Sequence, residues 1–254
     1  MSKLRVDYLQ NHPDYKVVQH KDMYHFNTDT CLLGEFIKIN KGEKVLDVGT
    51  NNGALLVYIC KKGGIATGIE IQKEAIEVCK LTLKENNIEA SIINEDFTLW
   101  NNEDKFDVII SNPPYFVSSE DLKNKNEYLR MARHEEYLTL KSLINTVKLN
   151  LNSNGYFYMV HRYTRLLDIK NELSLNNLFI NKMCIVYDEY KKDPVSILLK
   201  ISFKESEIVI ENKTAYNFKF YEEPLVRAAS GDYTHMRNNI KSEQNFIILI
   251  FAED

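Results

Sequence analysis

Apolar positions along the chain fall into two alternating rhythms. Nearly continuous apolar runs of strand length occur at 43–48, 64–71, 90–94, 106–110 and 156–160. Between and after them lie stretches that read as helices, at 54–61, 73–86, 139–151 and 166–175. In 73–86 the residues available for burial are Ala75, Ile76, Val78, Cys79, Leu81 and Leu83, the apolar side of an amphipathic helix. Thr139 is placed to cap the helix that follows it. Ahead of the first run, residues 2–24 are polar, with Val17-Val18 the one evident strand candidate. Thr28 or Asp29 can then cap a helix whose apolar face is Leu32, Leu33, Phe36 and Ile37. After 175, runs at 179–187 and 195–203, joined by a polar turn, read as two closing strands. Ile208-Val209-Ile210 is strand-like, Gly231-Asp232-Tyr233-Thr234 precedes a short helix, and 246–251 gives only a weak signal.

Strands alternating with helices predict an α/β fold, a doubly wound, mostly parallel sheet with helices on both faces. Ligands of such sheets sit beyond the carboxyl ends of the strands. The 254 residues suffice for one large domain, or a domain with an appendage. The expected division is a 1–40 amino-terminal segment whose helix closes the site, a 41–210 main domain and a 211–254 appendage.

The chemistry follows the strand ends. The first main run ends in Asp47-Val48-Gly49-Thr50-Asn51-Asn52-Gly53 and passes at once into a helix, a layout that binds nucleotide-like ligands. Asn51 stands where a glycine is usual, and Asn tolerates left-handed backbone better than most residues. Glu70 ends the second run about 20 residues on, where a ribose diol is gripped in such folds; the alternative is a solvated acid before a helix. Asp96 and Phe97 follow the third run, where a carboxylate can accept from an amino group and a ring can pack on a base. The fourth run, 106–110, ends in Ser111-Asn112-Pro113-Pro114-Tyr115. Two prolines stiffen the turn and remove two backbone donors. The Asn112 side-chain oxygen and the Pro113 carbonyl can each take one N–H of a planar amine, and Tyr115 offers a flat face. Holding both N–H groups localises the nitrogen lone pair for attack without a strong base.

Composition narrows the picture slightly. The 44% hydrophobic and 27% charged content is that of a soluble globular protein. A net charge of -4 gives no global basic footprint, so a nucleic-acid partner would need a local patch. Cys31, Cys60, Cys79 and Cys184 form no Cys-x-x-Cys pair and have no His at zinc spacing, which reads as reduced thiols in a cytoplasmic protein without a metal. No apolar run reaches membrane-spanning length, and the first ten residues carry no apolar signal region.

Taken together these stretches resemble class I S-adenosylmethionine-dependent methyltransferases with the amino-methylating Asn-Pro-Pro-Tyr signature, and more narrowly the bacterial tRNA1(Val) adenine-37 N6-methyltransferase family. The resemblance is carried by 26–33, 47–53, 69–72, 111–116, the Arg130-Met131-Ala132-Arg133-His134-Glu135 stretch within 125–135, and Val160-His161-Arg162 with 165–169. It departs from the family at Asn51 and after Asp232. It implies a Rossmann-like fold with a mostly parallel seven-stranded sheet and a carboxyl-terminal β hairpin. It implies S-adenosyl-L-methionine as cofactor, with Asp47, Gly49, Asn51 and Gly53 in the cofactor loop and Glu70 with Ile71 at the ribose. Asp96 and Phe97 would take the cofactor adenine, and Asp29, if not simply a helix cap, would close over the cofactor. Asn112, Pro113 and Pro114 would hold the target amine, with Asn112 also bordering the cofactor, and Tyr115 would stack on the target base. The implied partner is tRNA, with Lys123, Lys125, Arg130, Arg133, His134, Arg162 and Arg165 as the basic surface; the bland alternative is that Arg130 and Arg133 are solvated or paired with nearby glutamates. A protein glutamine methyltransferase would fit the same acceptors but is expected to carry a separate amino-terminal domain. A DNA adenine methyltransferase would need a target-recognition domain, and an RNA-binding protein with a degenerate cofactor fold would not need the intact Asn-Pro-Pro-Tyr turn.

Overall fold

The structure is a computed structural model that describes residues 3–113, 138–188, 190 and 192–215. In chain order the elements are β1 (Leu4–Tyr8), β2 (Lys16–His20), α1 (Thr28–Phe36), β3 (Lys44–Val48), α2 (Ala54–Lys61), β4 (Ile65–Ile69), α3 (Lys73–Glu85), β5 (Ser91–Ile93), β6 (Phe106–Ser111), α4 (Leu140–Asn150), β7 (Leu151–Arg162), α5 (Leu166–Leu175), β8 (Phe179–Asp188), β9 (Pro194–Ser202) and β10 (Val209–Ala215). Short 3-10 turns cover Phe97–Leu99 and Tyr163–Arg165.

The main sheet runs β10-β8-β9-β7-β6-β3-β4-β5. Strands β5, β4, β3, β6 and β7 are mutually parallel, and β9 enters antiparallel between β7 and β8. The hairpin expected at the carboxyl end is therefore β8–β9. The sheet holds eight strands among the described residues, one more than the seven expected, because β10 lies parallel along β8. Its sequence signal is weak: polar Glu211, Asn212 and Lys213 follow two apolar residues, Val209 and Ile210, that are themselves 56% and 57% exposed. The edge of β8 offers backbone donors and acceptors that a further strand can satisfy whatever its side chains are.

Both faces of the sheet are buried, and alternation along the strands divides the core in two. Val45, Val108, Ile110, Tyr158, Val160 and Leu198 face α1 and α2. Leu46, Ile109, Phe157, Met159, Ile197 and Leu199 face the opposite way with Leu143 and Val147 of α4 and Ile169 and Leu173 of α5.

Three local expectations change. Helix α1 is capped by Asn27 rather than by Thr28 or Asp29: Asn27 is extended at φ -135, and its side chain accepts from Thr30 N–H while the Thr30 side chain accepts from Asn27 N–H. Strand β7 is longer at both ends than 156–160, so His161 and Arg162 lie inside it and pair with Ile197 and Ser196 of β9 instead of following it. Strand β2 has a partner, β1, and this hairpin docks on α3 through side chains. Val18 N–H donates to Thr82 Oγ1 at 3.0 Å, and Lys16 N–H donates to Asn86 Oδ1 at 3.0 Å. Buried polar residues on one helix thus complete the outer edge of a two-stranded sheet that would be marginal alone.

Candidate active site

The strand ends of β3, β4, β5 and β6 open into one cleft of about 940 Å³, counting the solvent at its mouth. Gly49, Asn51, Glu70, Ile71, Asp96, Phe97, Asn112 and Pro113 line it, so most of the residues singled out by sequence meet there. Asp47, Gly53 and Asp29 do not line it, although their neighbours Val48, Ala54 and Thr30 do. Pro114, Tyr115, Lys123, Lys125, Arg130, Arg133 and His134 lie outside the described residues.

The loop after β3 is built for a tight approach. Gly49, Asn51 and Gly53 all have positive φ, at 73°, 47° and 81°. Asn51 therefore adopts the left-handed backbone itself, as few residues with side chains do. A Cβ on Gly53 would sit 2.8 Å from Cys79 Sγ, which fixes how closely the start of α2 lies on α3. Gly49 N–H and Thr50 N–H both donate to Ile69 O, at 2.9 and 3.2 Å, tying the loop to the end of β4.

Two buried acids serve this loop differently. Asp47 is fully buried below it on the α2 face, and Oδ2 accepts from Thr50 Oγ1 at 2.7 Å. Burial pushes its pKa up to about 7, the Thr50 bond pulls it down, and the nearby Glu70 charge raises it. Glu70 is 6% exposed and borders the cleft. Its Oε2 accepts from Asn51 N–H and its Oε1 from Gln72 N–H, both at 2.9 Å. Burial raises its pKa, and these backbone donors oppose the rise.

Asp96 anchors its own turn, with Oδ1 accepting from Thr98 N–H at 2.8 Å and from Thr98 Oγ1 at 2.7 Å. Phe97 is buried beside it, and Ile71, which also lines the cleft, is 42% exposed. At the end of β6, Ser111 Oγ donates to Val48 O at 3.1 Å, pinning the turn to β3. Asn112 is half-buried, Pro113 is buried, and Asn112 Nδ2 donates to Thr30 Oγ1 at 3.0 Å.

Several lining residues had no role assigned from the sequence: Tyr24, and Phe26, Thr30 and Asn52, which lie within the stretches that carry the resemblance. One signal was available: Thr30 is a polar residue opening the otherwise buried stretch Thr30 to Gly34. Tyr24 and Phe26 reach the cleft through the amino-terminal hairpin. Gln19 of β2 accepts from Phe26 N–H at 3.1 Å, and Asn52 Nδ2 lies 3.5 Å from the same oxygen. Gln19 in turn donates to Asp7, whose Oδ2 also lies 3.1 Å from Arg5 Nε.

The residues present suit S-adenosylmethionine. The Glu70 carboxylate accepts from backbone N–H groups and, with about four lone-pair sites, can still accept from a ribose hydroxyl. Ile71 and Phe97 offer apolar surface for a purine ring. The amino end of α2, whose Ala54 and Leu55 line the cleft, favours a carboxylate.

Arg162 and Arg165 do not line the cleft. Arg162 is exposed at the end of β7, and Arg165 Nε lies 2.6 Å from Asp168 Oδ2 on α5.

Known proteins share this sequence pattern and this fold. The chain is 25% identical over 225 residues to the tRNA1(Val) (adenine(37)-N6)-methyltransferase of Flavobacteriaceae bacterium (strain 3519-10), covering 85% of this chain and 94% of that one. It is 28% identical over 201 residues to the protein of the same name from Pseudoalteromonas translucida, covering 77% and 84%. The T. thermophilus 16S rRNA N2 G1207 methyltransferase, solved with AdoMet and guanosine, shares the fold at a TM-score of 0.59 with 18% identity, over 80% of this chain and 52% of that one. Residues 15–191, well over half of the chain, match the model of the methyltransferase small domain. The chain belongs to the methyltransferase small domain family and is a class I S-adenosyl-L-methionine-dependent methyltransferase.

Proposed function

We propose that this methyltransferase acts on tRNA and methylates the N6 amine of adenosine, at position 37 of tRNA1(Val). The observation that carries the reading is the pair Asn112 and Pro113, directly after β6 on the same cleft as Glu70 and Phe97. An amide oxygen and a proline carbonyl can accept the two N–H groups of an exocyclic amine, and no strong base is needed. The relatives named tRNA1(Val) (adenine(37)-N6)-methyltransferase support the choice of substrate.

The bound cofactor supplies an activated methyl group. In this reading the chain does the rest by placement. Glu70 holds the ribose, Phe97 and Ile71 flank the adenine with Asp96 accepting from its amino group, and Asp29 sits in the first turn of α1 near the wall formed by Thr30. Asn112, Pro113 and Pro114 hold the amine, and Tyr115 stacks on the target base. The base must leave its stack to reach the cleft. Lys123, Lys125, Arg130, Arg133, His134, Arg162 and Arg165 form the surface for the tRNA backbone.

The test is nucleoside analysis of tRNA from cells with and without the gene, beside transfer in vitro to a tRNA1(Val) transcript and to the same transcript with guanosine at position 37. Loss of N6-methyladenosine with the gene, and label only in the adenosine transcript, is the expected result. Equal labelling of both transcripts would move the target base elsewhere. Labelling of a glutamine-containing protein instead of either RNA would replace the substrate class.

A further inference from the structure

A carboxamide can hold an amine only if its oxygen faces the amine; turned over, it presents two donors to two donors. Something must decide which way the Asn112 amide lies. In the structure its Nδ2 donates to Thr30 Oγ1 at 3.0 Å, from a helix 82 residues earlier in the chain. The Thr30 hydroxyl has one proton, and it donates that proton to Asn27 Oδ1 at 3.1 Å. Asn27 N–H donates to the same hydroxyl at 3.3 Å. Asn27 is itself oriented, since its Nδ2 donates to Tyr24 Oη at 2.9 Å and its Oδ1 also accepts from Thr30 N–H at 3.0 Å. With its proton committed to Asn27, the hydroxyl meets Asn112 as an acceptor. It therefore takes the NH2 end of the amide and is mismatched with the oxygen. Thr30 is 6% exposed, so little water competes for these bonds.

We propose that Thr30 is a positioning residue for methyl transfer: its hydroxyl, polarised through Tyr24 and Asn27, holds the Asn112 amide with Oδ1 on the side opposite Thr30, as the acceptor for the target amine. The inference rests on the reading of Asn112 as the group that holds that amine. The capping box of α1 then has two tasks, since the bonds that start the helix also set the polarity of an atom in the cleft. Thr30 borders the cleft with Asn112, but its hydroxyl acts through Asn112.

The experiment compares Thr30→Val, Thr30→Ser and Asn112→Ala with the parent, using unfractionated tRNA from cells lacking the gene. It reads kcat and KM for both substrates, cofactor affinity by calorimetry, and melting temperature. Thr30→Val keeps the branched shape and loses the acceptor, and kcat should fall by about 10- to 100-fold with cofactor affinity within about twofold. Thr30→Ser should restore kcat to within about threefold of the parent, because the hydroxyl is what orients the amide. If Thr30→Val does not fold, Thr30→Ala against Thr30→Ser is read in the same way. Parental kcat in the Val or Ala variant, equal loss in the Ser variant, or a fall in cofactor affinity in step with kcat would each overturn the role of Thr30. Asn112→Ala separates the two levels: parental turnover in that variant removes the amine-holding reading itself, whereas a dead Asn112→Ala beside an active Thr30→Val removes only the role of Thr30.

Discussion

The two halves of the cleft are held in different ways. Glu70 is fixed by backbone N–H groups of Asn51 and Gln72, one in the loop bonded to its own strand end and one two residues along. Asn112 is fixed by a side-chain hydroxyl that arrives from α1, outside the strand–helix units on which the cofactor loop is built. Backbone donors are present whatever the side chains, so the half proposed to hold the cofactor is robust to sequence change around it. The half proposed to hold the target amine depends on particular side chains in a distant segment. A class of enzymes that keeps one cofactor and changes its targets would put the rigid backbone site and the adjustable side-chain site in this arrangement.

The largest effect that sharpens this contrast is expected from Asn112→Ala. Loss of one preorganised group at a reacting centre costs about 10²–10³ in kcat. Cofactor affinity, measured by calorimetry, should stay within about twofold, because the Glu70 half is untouched. A parallel loss of cofactor affinity would show that the halves are not separable.

Glu70→Ala is the converse. Hydrogen bonds to a charged group contribute about 1.5–3 kcal/mol, which is tenfold or more in cofactor affinity. Unchanged affinity in a calorimetric titration would mean that Glu70 serves only to anchor Asn51 and Gln72.

Asp47 tests whether the floor of the cofactor half carries a proton. Burial raises its pKa to about 7, so the folded protein holds a proton that the unfolded chain releases near pH 4. The stabilisation is complete below about pH 4 and is lost as pH rises to about 7, above which the whole cost of a buried charge remains. Asp47→Asn has no such proton and can still accept from Thr50. Its melting temperature should gain on the parent between pH 4 and 7, by a difference equivalent to about 4 kcal/mol when the whole shift is expressed. A pH-independent difference would show that Asp47 is ionised throughout.

The smallest effect concerns the surface outside the cleft. Arg162→Ala, at the exposed end of β7, should weaken tRNA binding and reduce its salt slope by just under one unit, the share of one phosphate contact. Cofactor affinity should not change. An unaltered slope would take Arg162 off the RNA surface.

The sequence determined the strand–loop–helix order and, with it, the edge on which Gly49, Asn51, Glu70, Asp96, Phe97 and Asn112 would gather. Each of these comes shortly after the end of β3, β4, β5 or β6, and parallel strands put their ends on one side, so position along the chain was enough. Asn51 was also legible, as a residue able to take the left-handed backbone that a glycine usually provides. What only the tertiary structure decided came from bonds between segments far apart. Thr82 and Asn86 complete the hairpin edge at Lys16 and Val18, and neither looks different in sequence from a solvated helix residue. Gln19 ties Phe26 to the glycine loop from within a strand that the pattern barely marked. Strand β10 joins β8 because an edge accepts almost any extended backbone, which leaves little trace in side chains. The orientation of Asn112 was invisible for the same reason: an amide reads the same in both directions, and the hydroxyl that orients it lies 82 residues away on a helix that the apolar pattern describes as core.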